Sequence, residues 1–279
     1  MKYLLYNPLS QNGSCESKIK PFLENNEYCV VNVLEKEEYE KVFNIVTSDD
    51  EIYLYGGDGT LNFFVNSVNN KELPCKVYFN TSGTGNDFYR DVAKDGDGEL
   101  IEINKYITNL PKVIINGEER LFINGVGFGI DGYCCEVGDE LQKKSTKPVN
   151  YGAIAVKGLL FDYKACGGTV TVDGVSKRYK RIWICPTMKG CFYGGGINVT
   201  PNQNRLDPSG VVSTAVFHSS GRIKTLLIFP KLFKGAHLGH TDVFDIFTGK
   251  HVIVEFDKPQ ALQIDGETVR NVTKYEVIA

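Results

Sequence analysis

The sequence predicts an α/β chain in two parts. An N-terminal Rossmann-like three-layer α/β domain is expected over residues 1–115. A C-terminal antiparallel β-sandwich domain is expected over 116–279, with the last residues free to return to the first domain. Three observations carry this reading. Strand-like and helix-like segments alternate through the first 95 residues, the pattern of a parallel sheet with crossover helices. Beyond about residue 110 the helical signal thins and hairpin signals replace it. Two glycine-rich turns each follow an apolar run in the first part, where parallel sheets carry their chemistry on the loops beyond the strand ends.

The elements follow in order. "KYLLY" (2–6) reads as a buried strand, and the polar loop "NPLSQNG" leads to a helix at 15–26 with Ser14 as its N-cap. "YCVVNV" is a second strand. "EKEEYEKVFNIV" is a helix with Tyr39, Val42, Phe43 and Val46 on one face. "EIYLY" gives the third strand and Thr60–Val68 the third helix; "CKVYFN" gives the fourth strand, which runs into "TSGTGNDFYRDV". In the second part, hairpins are expected at Asn116-Gly117 and Asp173-Gly174, pairs that accept the positive φ of a tight turn. Further strands are "GVVSTAVFH", "DVFDIFTGKHVIVEFD" and "ALQIDGETV", and helices are expected only at 149–161 and 222–234.

Composition narrows the function classes. A net charge of −3 gives no general reason to bind nucleic acid. The eight cysteines are irregularly spaced and form no C-x-x-C pair, so free thiols in a reducing cytosol are expected. The run "YLLY" is too short for a signal peptide, and no stretch of 18 uncharged apolar residues exists. A cytoplasmic protein is therefore expected, with room for peripheral contact at the inner membrane surface. His218, His237, His240 and His251 form no ligand motif, so no zinc site is expected.

The chemistry is expected in the two turns, "GGDGT" (56–60) and "GTGND" (83–87). Glycines let backbone N–H groups approach phosphate oxygens at a helix N-terminus. Asp58 and Asp87 would repel a bare phosphate, but each suits Mg2+, a ribose hydroxyl or an ordered water. Neither turn is a Walker A loop or a complete G-x-G-x-x-G. Two such turns on successive strands favour nucleotide binding over two coincidental connections.

"NPLSQNG", "GGDGTLN" and "SGTGNDF", in that order, resemble the catalytic domain of the soluble diacylglycerol kinase and lipid kinase family. "FINGVGFGID", "GGGINVTPNQNRLDPSG" and "LQIDGE" resemble its β-rich domain. The resemblance implies a lipid kinase that uses ATP and Mg2+. It implies a nucleotide pocket lined by Asn7, Gly57, Asp58, Gly59, Thr60, Gly83, Thr84, Gly85, Asn86 and Asp87, with Asp58 and Asp87 serving the metal. Asp265 matches the family's proposed general base, with Glu267 beside it. Two departures stand out. Gly13 comes late after "NP", which puts Ser10 and Gly13 in doubt as phosphate contacts. Only Asp207 is acidic in "RLDPSG", which puts a structural metal in doubt.

Asp131 is expected either to line the cleft or to cap the next segment. The segment 221–240 interleaves basic and apolar residues, as a surface touching anionic lipid would. The expected reaction is transfer of the ATP γ-phosphate to a lipid hydroxyl, with diacylglycerol foremost. Sphingoid bases and other lipid alcohols are rivals within the fold, and a NAD kinase and a catalytically idle lipid or nucleotide sensor are rivals outside it. A homodimer is carried as a further expectation.

Overall fold

The structure is a computed structural model that describes residues 1–10, 15–24, 27–81, 86–93, 100–144 and 149–279. Ser14, expected as an N-cap, and Gly13, Gly83, Thr84 and Gly85 of the expected phosphate loops lie outside these residues. The chain divides into two compact units, Met1–Leu110 and Pro111–Ala279.

The first unit is built on five strands: β1 (Lys2–Tyr6), β2 (Tyr28–Asn32), β3 (Glu51–Gly56), β4 (Lys76–Thr81) and β5 (Leu100–Glu102). Their order is β2-β1-β3-β4-β5, with the first four parallel and β5 antiparallel on the edge. The apolar runs predicted this: Leu4, Leu5, Ile52, Leu54 and Val77 are fully buried, as strands covered on both faces require. Helix α1 (Cys15–Leu23) packs through Cys15 and Ile19 on Leu4 and Tyr55. Right-handed crossover sends α2 (Lys36–Ile45) and α3 (Asp58–Val68) to the other face. These two helices meet where Tyr39 stacks on Phe63 with ring centroids 5.4 Å apart. A short helix, α4 (Asp87–Val92), follows β4. The strand order reverses between β1 and β3, the place where open parallel sheets bind ligands beyond their C-terminal strand ends.

The second unit is antiparallel. Its strands are β6 (Lys112–Ile115), β7 (Glu118–Leu121), β8 (Gly125–Gly129), β9 (Cys166–Val172), β10 (Val175–Met188), β11 (Phe192–Tyr193), β12 (Ile197–Asn198), β13 (Val212–His218), β14 (Phe244–Gly249), β15 (His251–Ile264) and β16 (Glu267–Ile278). Two long strands organise it. The first half of β10 pairs with β9 and its second half with β8, after a bulge between Tyr179 and Ile182. β15 does the same, pairing β9 over 252–256 and β8 over 262–264, with irregularities around Gln260. Bulged strands that switch partners fold one sheet over on itself, and Phe128, Val170, Val254 and Tyr275 fill the interior. β6 pairs with β16 and therefore belongs to this sheet, as does β16 itself to the end of the chain.

Helices cover one side. α6 (Tyr151–Lys157) continues into a π-helical turn at Gly158–Asp162, and α7 (Arg222–Leu232) packs through Ile228 and Leu232. The sequence reading missed the longest helix, α5 (Ile130–Lys144). Both expected hairpin turns, Asn116-Gly117 and Asp173-Gly174, have positive φ at both residues, and so does Asp265-Gly266. All eight cysteines are free; Cys29 is exposed, and burial pushes the thiols of Cys134 and Cys135 up to about 12. Among the described residues, no helix is long and apolar enough to cross a membrane.

Candidate active site

In the first unit the site residues gather where the strand order reverses. Thr60, in the first turn of α3, lies under the loop that follows β1. Its Oγ1 accepts from Asn7 Nδ2 at 3.4 Å and shares a hydrogen bond with Ser10 Oγ at 3.2 Å. Asn7 in turn fixes that loop, since its Oδ1 accepts from the Leu9 N–H at 3.0 Å. Ser10, doubted on its sequence spacing, therefore stands in the Asn7–Thr60 cluster.

The glycines of "GGDGT" do different jobs. A Cβ on Gly56 would come within 2.3 Å of Thr60 Oγ1, so this position needs glycine for close approach and not for positive φ. A Cβ on Gly59 would meet nothing within 4 Å among the described residues, which leaves open space over the first turn of α3. Gly57 stands as the extended residue just before that helix.

Asp58 reaches across to the next turn. Its Oδ2 accepts from the Asp87 N–H at 2.8 Å and its Oδ1 from the Phe88 N–H at 3.3 Å. The carboxylate thus satisfies the first donors of α4, where a negative charge is favoured. Asp87 is buried, and Asn86 before it holds a left-handed φ of 45°. The fold brings Asp58 and the start of "ND" together across 29 residues of sequence. With Asp58 bonded to the Asp87 backbone, these two acids are the candidates for Mg2+, which binds through one or two acids while phosphates and waters complete its shell.

In the second unit, Asp265 occupies the turn between β15 and β16. Its Oδ2 accepts from the Ile123 N–H at 2.7 Å, and its Oδ1 from the N–H groups of Asn124 at 2.8 Å and Gly125 at 2.9 Å. The Asp265 N–H returns to the Gly125 carbonyl. Glu267 is exposed at the start of β16, with one oxygen 3.8 Å from the Arg120 guanidinium. The segment Ile123–Gly125 has further partners on its other side. Buried Arg205 donates to the Ile123 carbonyl and to Asn124 Oδ1. The N–H groups of Lys189 and Gly190 donate to the Asn124 carbonyl at 2.9 and 3.2 Å. The sequence reading named none of Asn124, Lys189 and Arg205. Their one signal was the basic residues set in otherwise apolar or turn-rich segments.

Asp131 sits inside the first turn of α5 and does not cap it, contrary to the capping expectation. Neither of its buried oxygens has a hydrogen-bond partner. Burial pushes its carboxyl up to about 6; the nearby N–H groups of Gly132 and Asp131 and the Gln263 amide pull it back without reaching hydrogen-bond geometry. Asp207 ties up its own loop by accepting from the Ser209 N–H at 2.8 Å. Among the described residues no three His, Cys, Asp or Glu side chains cluster as metal ligands.

The sequence matches known proteins along nearly its whole length. The model of the diacylglycerol kinase catalytic domain matches residues 2–120, and that of the YegS C-terminal NAD kinase beta sandwich-like domain matches 124–277. A diacylglycerol kinase of Mycobacterium tuberculosis is 23% identical over 207 residues, an alignment that spans 70% of this chain and 63% of that protein. A candidate lipid kinase of Staphylococcus epidermidis is 26% identical over 238 residues, spanning 80% of this chain and 72% of its own. The fold resembles a crystal structure of a candidate diacylglycerol kinase from Bacillus anthracis, with a TM-score of 0.69 at 18% identity and coverage of 99% and 92% of the two chains. From its catalytic-domain match through its β-sandwich match, the chain belongs to the diacylglycerol kinase family of lipid kinases.

Proposed function

We propose that the protein transfers the γ-phosphate of ATP to a lipid hydroxyl, with diacylglycerol as substrate and phosphatidate as product. The observation that carries this reading is the hydrogen bonding of Asp58 to the first N–H groups of α4, which joins the two glycine turns at the strand ends. Phosphoryl transfer asks a protein chiefly for positioning and charge neutralisation. Asn7, Ser10 and Thr60, with the open space at Gly59, provide a polar floor for phosphates. The N–H groups of 83–85 are proposed to complete it. Asp58 and Asp87 would hold Mg2+, which when bound neutralises phosphate charge.

Asp265 is proposed to accept the substrate hydroxyl proton. It would take that proton late in the transfer, when the hydroxyl oxygen is already bonding to phosphorus. Glu267 is proposed to act beside it. Contact with an anionic membrane is proposed through 221–240, where Ile223 and Leu227 are 75% and 69% exposed.

The test is radiolabelled ATP with mixed micelles that each hold one lipid, and NAD in a parallel reaction. Label in phosphatidate is expected from the wild type. Label in another lipid would replace the substrate, and label only in NADP would replace the reading.

A further inference from the structure

Helix α7 does not stand alone at the surface. Its first residue is tied to the π-helical turn that ends α6. Arg222 Nη1 donates to the Leu159 carbonyl at 2.7 Å and to the Gly158 carbonyl at 3.4 Å, and Nη2 donates to the Tyr163 carbonyl at 2.8 Å. One guanidinium, with its fork of donors, thus holds the whole turn against the start of α7.

The turn sets Phe161 outward. The Tyr163 N–H donates to the Gly158 carbonyl, five residues back, at 2.9 Å, the bond that makes a π-helical turn. Leu159 and Tyr163 are buried, and Phe161 between them is 70% exposed. Ile223, next to Arg222, and Leu227, one turn further along α7, are exposed as well. Single exposed apolar residues are ordinary, but three large ones at one junction are of the kind that marks an interaction surface.

The charge around them indicates what this surface meets. Residues 151–164 and 221–242 carry six Lys and Arg against two acids, Asp162 and Asp242, in a chain of net charge −3. Lys157 and Lys224 pair with those two acids, which leaves the positive excess with Lys164, Arg222, Lys231 and Lys234. Basic residues around protruding apolar ones suit a bilayer with anionic headgroups. A second copy of the chain, docked by the same face, would meet its own positive charge.

We propose that Phe161, on the π-helical turn, inserts into an anionic lipid surface together with Ile223 and Leu227 of α7. This rests on the lipid-contact reading of 221–240 and extends it to a second segment, 158–162. A kinase that acts on a lipid must reach it at such a surface.

The experiment uses the full chain. Its one tryptophan, Trp183, is 3% exposed beneath Arg222 and gives a wild-type baseline of emission. Wild type, Phe161→Trp and Phe161→Ser are compared on vesicles of phosphatidylcholine with and without phosphatidylglycerol. Wild type is expected to sediment with the anionic vesicles. In Phe161→Trp the added emission is expected to shift to shorter wavelength there and to be quenched by brominated acyl chains. Phe161→Ser is expected to keep the wild-type Tm and to bind the anionic vesicles about tenfold more weakly. If it loses Tm instead, the quenching in Phe161→Trp decides alone. When wild type sediments but the added emission stays unshifted and unquenched, or Phe161→Ser binds as wild type does, insertion of Phe161 is overturned and contact through α7 survives. When wild type does not sediment, the lipid-contact reading fails and this proposal fails with it. Dimerisation without lipid that Phe161→Ser abolishes assigns the face to a second copy and also overturns the proposal.

Discussion

At the scale of single residues, two aspartates in like turns show what sequence can and cannot separate. Asp173 and Asp265 each precede a glycine, each takes positive φ, and each carboxylate accepts backbone N–H groups from a neighbouring segment. Asp173 merely pins the loop before β15. Asp265 pins Ile123–Gly125, and only that segment's links to Lys189 and Arg205 set the two apart. Asp265→Asn is therefore expected to damage the fold as well as the chemistry. An amide N–H2 would face either the Ile123 N–H or the Asn124 and Gly125 pair, and a buried donor left unsatisfied costs about 1–3 kcal/mol. Glu267→Gln, at an exposed position, is expected to leave Tm unchanged, so a rate loss there isolates its chemical part.

Asp131 gives a pH prediction with a definite sign. Its folded carboxyl titrates near 6 against 3.8 in the unfolded chain, so the folded state holds the proton more tightly. The contribution of Asp131 to stability is greatest below pH 4 and falls as pH rises to about 6, by roughly 3 kcal/mol for a two-unit shift. Asp131→Asn is expected to flatten this slope, with its advantage over wild type largest near pH 7. Denaturant titrations at pH 4 and pH 7 would show it; a parallel slope in both proteins would refute the assignment.

At the scale of elements, glycine explains both what was legible and what was missed. Strands β1, β3 and β4 were plain as short apolar runs that ended in glycine or polar turns. Helix α5 was not, because Gly132 and Gly138 lower helix propensity and Cys134 and Cys135 blur its apolar stripe. The structure shows why they are there. A Cβ on Gly132 would lie 2.1 Å from the Ala261 carbonyl oxygen, and one on Gly138 would strike the Tyr151 ring. Close packing fixed those glycines, and propensity could not reveal it.

The glycines at the β3–α3 junction allow a sharper test. Gly56→Ala is expected to cost about 1–3 kcal/mol by overpacking against Thr60. Gly59→Ala meets open space, and it exchanges glycine for the best helix former, so a gain of up to about 1 kcal/mol is expected. If phosphates approach over this turn, the same variant loses ATP affinity. A more stable protein that still binds ATP as wild type does would remove Gly59 from the pocket.

Helix α7 carries the proposed membrane contact. Lys224 is paired with Asp242, Lys231 Nζ lies 2.9 Å from His240 Nε2, and Ile223 and Leu227 face outward. Reversing the charge at Lys224, Lys231 and Lys234 together is expected to abolish sedimentation with anionic vesicles. Unchanged binding would refute this contact.

At the scale of the whole molecule, the two-part plan was legible because period and composition change together near residue 110. The two glycine-rich turns were legible as motifs, while the partner side of Asp265 was not. Lys189 and Arg205 reach Ile123 and Asn124 across 65 to 82 residues, and Asp265 reaches that segment across 140 to 142, which no local pattern encodes. The division also makes a prediction about folding. The two sheets share no strand, and the second unit has its own interior and its own helical cover. A fragment of residues 111–279 is expected to fold alone, with a β-type circular dichroism spectrum and one cooperative thermal transition. The boundary can be tested by a few residues. A fragment starting at 116 lacks β6, which pairs Val113 with Val277 and buries Val113 and Ile115 in the interior. Each such side chain is worth about 1.5–3 kcal/mol, so the shorter fragment is expected to melt well below the longer one. Equal melting of the two would mean that β6 lends this sheet nothing, and that the second unit begins after it.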